Sequence, residues 1–176
     1  MLDRLRRVYP LKVELIPLLL ALWTSYILLA AFPGLPDQVP THFNAAGQPD
    51  RWGPRAVLLV LWVVQIGLVY IPTSLFGLVM VVMEDFRSLG NLPGMRKKVL
   101  TPDQAEAVSI WVIRLLLVTK VLAMALLAVI LYGSIRLAQG EAAFWGGVFW
   151  ALLAILLVST AFIIWRLLLI LRREVE

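Results

Sequence analysis

The chain carries one histidine, His42, set in the polar stretch "VPTHFNAAGQPDRWGP" between two hydrophobic runs, with Asp50 in the same stretch. An imidazole near a carboxylate could activate a nucleophile, ligate a metal or contact a ligand. No serine accompanies His42 in this stretch, and the apolar runs hold no histidine to activate Ser25, Ser74 or Ser159, so nucleophilic catalysis lacks its parts. A lone histidine with Asp50 and Asn44 is short of ligands for a metal. The sequence has no cysteine, which removes disulfides, thiolate metal sites and thiol redox chemistry. A non-enzymatic protein without metal or cofactor is therefore expected. Two readings of the stretch remain. In one it is an exterior recognition surface for a peptide or lipid, built from Thr41, His42, Phe43, Asn44, Gln48, Asp50, Arg51 and Trp52. In the other it is a structural cap, with Phe43 and Trp52 at the lipid headgroup level and His42, Asn44 and Asp50 satisfying backbone groups.

A second pair of charges falls at the edges of apolar runs. Glu14 precedes the first run, and Lys120 lies inside the third. Charges in a membrane interior default to function. Lys120 has two readings: its stem snorkels toward the nearer boundary, roughly 7.5 Å away at 1.5 Å per residue, or its ammonium meets a partner inside the bundle. Glu14 is the candidate partner by depth. Neither reading makes a proton path, because no other acid lies within a run.

These residues are positioned by a very hydrophobic chain. Of its 176 residues, 61% are hydrophobic, and the mean hydropathy is +0.90. A hydrocarbon core of roughly 30 Å takes about 20 apolar residues to cross as a helix. Four segments qualify: Leu15–Phe32, Ala56–Val82, a stretch within Ile110–Ile135, and Phe144–Leu171. The expected fold is an all-α integral membrane protein, a single four-helix domain over residues 1–176, with an ordered extracytoplasmic loop between helices 1 and 2. The first run is about 18 residues, longer than the 7–15 of a signal peptide, and is read as a retained helix.

Basic residues gather on the cytoplasmic side of short loops. Arg4, Arg6, Arg7, Lys12, Arg87, Arg96, Lys97, Lys98, Arg166, Arg172 and Arg173 fall on one side, and Arg51, Arg55 and Arg136 on the other. Both termini and the loop over residues 83–109 are thus expected in the cytoplasm, with His42 outside. The net charge of +5 then needs no nucleic-acid partner; it reflects this asymmetry, with some attraction to anionic lipid. The lipid bilayer is the partner implied, with a peptide or membrane protein as a further one.

Local signals refine the elements. Pro17 and Pro54 stand near helix starts, where a missing N–H costs little. Pro72 cannot donate to the carbonyl of Leu68, which predicts a kink. Gly67, Ser74 and Gly77 share one face with Tyr70, a stripe that lets another helix approach. "TPDQ" reads as a helix start, with Thr101 as N-cap and Pro102 first, and the helix is expected to run on to Arg136. In the polar stretch, the prolines stiffen the chain, "VPTHFN" is expected to be extended, "AAGQPD" to turn back with Asp50 as turn acceptor, and "DRWGP" to return.

Pro40, His42, Phe43, Asn44, Gly47, Asp50, Trp52 and Gly53, between two apolar helices, resemble the loop P-x-H-[FW]-[ND]-x-x-G-x-x-[DN]-x-[WYF]-G. That loop belongs to the domain of unknown function at the N-terminus of SdpI-type bacterial immunity proteins, and the likeness covers roughly residues 15–61. It implies a multi-pass protein of a bacterial inner membrane with a binding, sensing or protective, immunity-like role. The second membrane domain that SdpI-type proteins carry has no clear trace in residues 100–176. The alternatives are an accessory subunit of a larger membrane complex or a transporter component, although few polar residues line the runs.

Overall fold

The computed structural model describes residues 9, 11–82, 102–141 and 146–172. A short 3-10 turn, Leu11–Glu14, leads into α1, Leu15–Ala31. A second 3-10 turn, Phe32–Gly34, precedes strands β1, Gln38–Phe43, and β2, Pro49–Pro54. The second long helix comprises α2, Ala56–Val63, a π-helical segment, Val64–Tyr70, and α3, Ile71–Val82. Then follow α4, Pro102–Ala138, and α5, Gly146–Arg172. Four helices are long and apolar enough to cross a membrane: Lys12–Gly34, Ala56–Val79, Glu106–Ala138 and Gly146–Ile170. Their outward faces carry large apolar side chains such as Leu19, Tyr26, Leu29, Leu68 and Val158, all more than half exposed. In water this surface would drive aggregation; in a bilayer it is the solvent-matched face. This is a multi-pass membrane protein.

The expectation of an all-α chain requires correction. β1 and β2 pair as an antiparallel two-stranded sheet. The sequence forms it because Pro40, Pro49 and Pro54 hold extended backbone, and Gly47 supplies the reversal with φ +78°. A side chain there would be strained by backbone conformation, and its Cβ would lie 3.2 Å from the Gly146 backbone. Buried Leu28, Leu35, Val39, Leu58, Leu131 and Ile135 form the core beneath the hairpin. Arg55 ties down its base: its guanidinium donates to the Leu35 carbonyl at 3.1 Å, lies 5.3 Å from the Phe32 ring centroid and faces Asp37 at 3.9 Å.

The irregularity expected at Pro72 takes the form of the π-helical segment just before it, where the Ile71 N–H donates to the Ile66 carbonyl. Without an N–H at Pro72, the ladder around it is free to slip to the wider spacing. The segment also brings Gln65 inward, where its amide donates to the Met124 carbonyl on α4 at 2.9 Å. Within the stripe of Gly67, Ser74 and Gly77, Ser74 faces α4 through Lys120, while Gly77 faces the N-terminal segment. A Cβ on Gly77 would sit 2.7 Å from the Tyr9 ring, so the small residue makes room for an aromatic side chain from the N-terminal segment. Helix α4 starts at Pro102 and passes Arg136 as expected. The proposed cap residue Thr101 and the turn within residues 83–101 lie outside the described residues.

Candidate functional site

At one end of the bundle the hairpin roofs a cavity of about 450 Å³. Its floor comes from α4, where Val129, Gly133 and Leu137 repeat every fourth position and so share a face with Ile130. Gly146, Phe149 and Trp150 of α5 close one side, and Thr41, His42, Phe43, Asn44, Ala45 and Gly47 form the roof. Gly47 and Gly146 let the hairpin tip and α5 come close, since a Cβ on either would lie 3.2–3.5 Å from backbone of the other element. The volume is within the roughly 300–1,000 Å³ of small-molecule sites, which are mostly apolar with a few placed polar groups.

The polar groups sit at the rim. His42 Nδ1 lies 2.5 Å from Asp50 Oδ1, with the two side chains 55% and 43% exposed. The register explains the meeting. Pairing runs Pro40 with Trp52, then His42 with Arg51, then Phe43 with Pro49. Thr41 and Asp50 are thus extra residues on opposite strands, and such bulges re-aim side chains. The carboxylate engages one ring nitrogen, Nδ1. The Thr41 hydroxyl donates to the Arg51 carbonyl at 3.4 Å, so it is turned into the sheet. Among the described residues no cluster of three His, Cys, Asp or Glu could hold a metal ion.

The turn acceptor is Asn44, not Asp50. Asn44 Oδ1 accepts from the backbone N–H of Ala46 and of Gln48, each at 3.0 Å, the Asx geometry expected for Asp50. Asp50 is committed to His42 instead. The hairpin tip is docked from the far side: the Trp150 indole donates to the Ala45 carbonyl at 3.0 Å. Of the sequence candidates, Thr41, His42, Phe43 and Asn44 reach the cavity. Asp50 and Gln48 act on it through His42 and Asn44, the latter bond at 3.5 Å. Arg51 and Trp52 are exposed and lie outside the cavity lining. Sequence reasoning missed the walls on α4 and α5. The one signal was the four-residue spacing of Val129, Gly133 and Leu137, which any packed helix also shows.

The second polar group is on the other side of the bundle. Lys120 does not snorkel. It lies about 27 Å along α4 from Ala138 at 1.5 Å per residue, and its side chain is 0% exposed. Its ammonium donates to the Glu14 carboxylate, to Ser74 Oγ at 3.0 Å and to the Tyr9 hydroxyl at 3.4 Å. Tyr9 and Ser74 in turn donate to Glu14. The rings of Tyr9 and Tyr70 lie 5.9 and 5.7 Å from the ammonium. Burial pushes the Tyr9 phenol above its ordinary range, and the Glu14 carboxylate adds to the shift. Every donor has an acceptor, which is the condition for a buried pair to be tolerated.

The comparisons with known proteins agree with the place of the hairpin. Residues 18–66 match the family model described as Domain of unknown function (DUF1648). That domain occupies the N-terminal part of this chain. Its matched segment holds most of α1, the whole hairpin and the start of the second long helix, but none of the cavity walls on α4 and α5. An uncharacterized protein of Archaeoglobus fulgidus is 47% identical over 51 residues, which is 29% of this chain and 26% of that protein. The chain therefore spans about a quarter of that relative's length. No solved structure matches.

Proposed function

We propose that the protein is a non-enzymatic binding module of the cell membrane. In this reading the hairpin faces the exterior, and an amphiphilic ligand places its apolar part in the cavity and its polar part against His42, Asp50 and Asn44. The observation that carries the reading is the cavity itself, apolar within and polar only where the hairpin roofs it. The charge asymmetry of the loops supports the orientation. The bulged register supports recognition over mere capping, because it spends two residues on aiming His42 and Asp50 at each other. A protective, immunity-like role is one use of such a module. The test is a strain lacking the chain, challenged with exported membrane-active peptides and complemented with wild type, Val129→Phe or His42→Gln. Val129→Phe fills the cavity. Both variants are expected to accumulate in the membrane at the normal level and to lose protection. If protection is lost only where folded protein is lost, the hairpin is scaffold and the reading fails.

A further inference from the structure

We propose that Trp111, Arg114 and Arg166 form a site for the phosphate of an anionic phospholipid, at the bundle end opposite the hairpin. Trp111 and Arg114 belong to α4 and Arg166 to α5. The Arg114 guanidinium carbon lies 4.9 Å from the Trp111 ring centroid, and that of Arg166 lies 5.3 Å from it. One indole thus gathers two guanidinium groups from two helices. Arg55, Lys120 and Arg136 each meet a carboxylate; among the described residues Arg114 and Arg166 meet none. With no carboxylate against them among the described residues, the two cations repel each other, and stacking on a ring leaves their N–H edges free. Those edges match the oxygens of a phosphate.

Depth says which phosphate. Arg166 lies about 30 Å along α5 from Gly146, and Arg114 about 36 Å along α4 from Ala138, at 1.5 Å per residue. Those are about the thickness of the hydrocarbon core, so the pair reaches one headgroup layer when the hairpin end occupies the other. The aromatic surroundings agree. Phe162 meets Trp111 edge-on at 6.4 Å and Trp165 at 5.9 Å, and rings of this kind collect at headgroup level. Basic pockets between membrane helices are where anionic headgroups bind.

The full chain, reconstituted in phosphatidylcholine vesicles, would be titrated with brominated phosphatidylglycerol or with brominated phosphatidylcholine. Quenching of the Trp111 fluorescence would be isolated by difference from Trp111→Phe. Quenching by the anionic lipid is expected at about fivefold higher apparent affinity per arginine. The preference should vanish in the double variant Arg114→Gln/Arg166→Gln and survive in Arg114→Lys/Arg166→Lys. Arg166→Gln alone, the milder change, should lose about fivefold. Equal quenching by both lipids in the wild type, or a preference that persists without the arginines, would overturn the site. A preference abolished by excess inorganic phosphate would overturn the lipid assignment in favour of a soluble anion.

Discussion

The molecule pairs a cation or imidazole with a carboxylate in several places, and two of these pairs are opposites. His42 and Asp50 face solvent on a bulged hairpin, while Lys120 and Glu14 are shut inside the bundle with Tyr9 and Ser74. The buried pair is complete: each donor has its acceptor, and nothing is left over for a ligand. The exposed pair sits at the rim of the cavity that His42 lines. Of the two constellations, the buried one is satisfied within the bundle, and the exposed one is where the proposed ligand would meet the chain.

The comparison can be broken most sharply at Lys120. Lys120→Met or Glu14→Gln alone should cost about 3–5 kcal/mol, because one charge stays buried without its partner, and the double variant should cost less. Denaturation of the purified chain in detergent would measure this. Equal losses in all three would mean that the pair is wet in the membrane. Next comes Gly47→Val, which forces a β-branched residue to positive φ at about 1–3 kcal/mol and crowds Gly146. The expected readout is proteolysis of the hairpin with the four helices still inserted. Asn44→Ala removes the acceptor of two backbone donors and should cost about 1 kcal/mol, whereas Asp50→Asn should cost below about 1 kcal/mol, as exposed pairs do. If Asp50→Asn destabilised the hairpin more than Asn44→Ala, the division of labour between them would be reversed.

The smallest effect is one of pH. The raised Tyr9 phenol holds its proton in the folded chain where the unfolded chain has lost it. The stability it contributes is therefore whole below pH about 10 and falls as pH rises above that value. Melting temperatures of wild type and Tyr9→Phe should diverge in slope only above pH about 10; parallel slopes would place Tyr9 away from the cluster.

The four spans, the extended hairpin arms and the reversal at Gly47 were legible in the sequence, because hydropathy, proline and glycine act locally. The all-α expectation failed on the same stretch for want of one step: two proline-stiffened arms joined by a tight turn pair with each other. That Asn44 alone of the two makes the turn, while Asp50 meets His42, was not legible, since both were expected to accept backbone N–H groups and only the bulged register decides between them. Nor was the membership of Tyr9 and Ser74 in the Lys120 cluster, because one lies outside the spans and the other read as part of a small-residue stripe. The cavity depended on contacts between residues far apart in the chain.

The π-helical segment Val64–Tyr70 has a consequence for how this chain tolerates editing. A π-turn carries one residue more than the α-turn it replaces. Deleting a single residue there would let the helix close into regular α form, and everything beyond would stay nearly in phase, because the turn that closes already held the extra residue. Deleting Thr73 from the α-helical stretch that follows would instead rotate everything beyond by about 100°, taking Ser74 from the ammonium of Lys120 and turning the gap at Gly77 away from Tyr9. The second span thus has a place where a residue can be lost without disturbing its partners, between Gln65, which faces α4, and Ser74, which faces the buried charges.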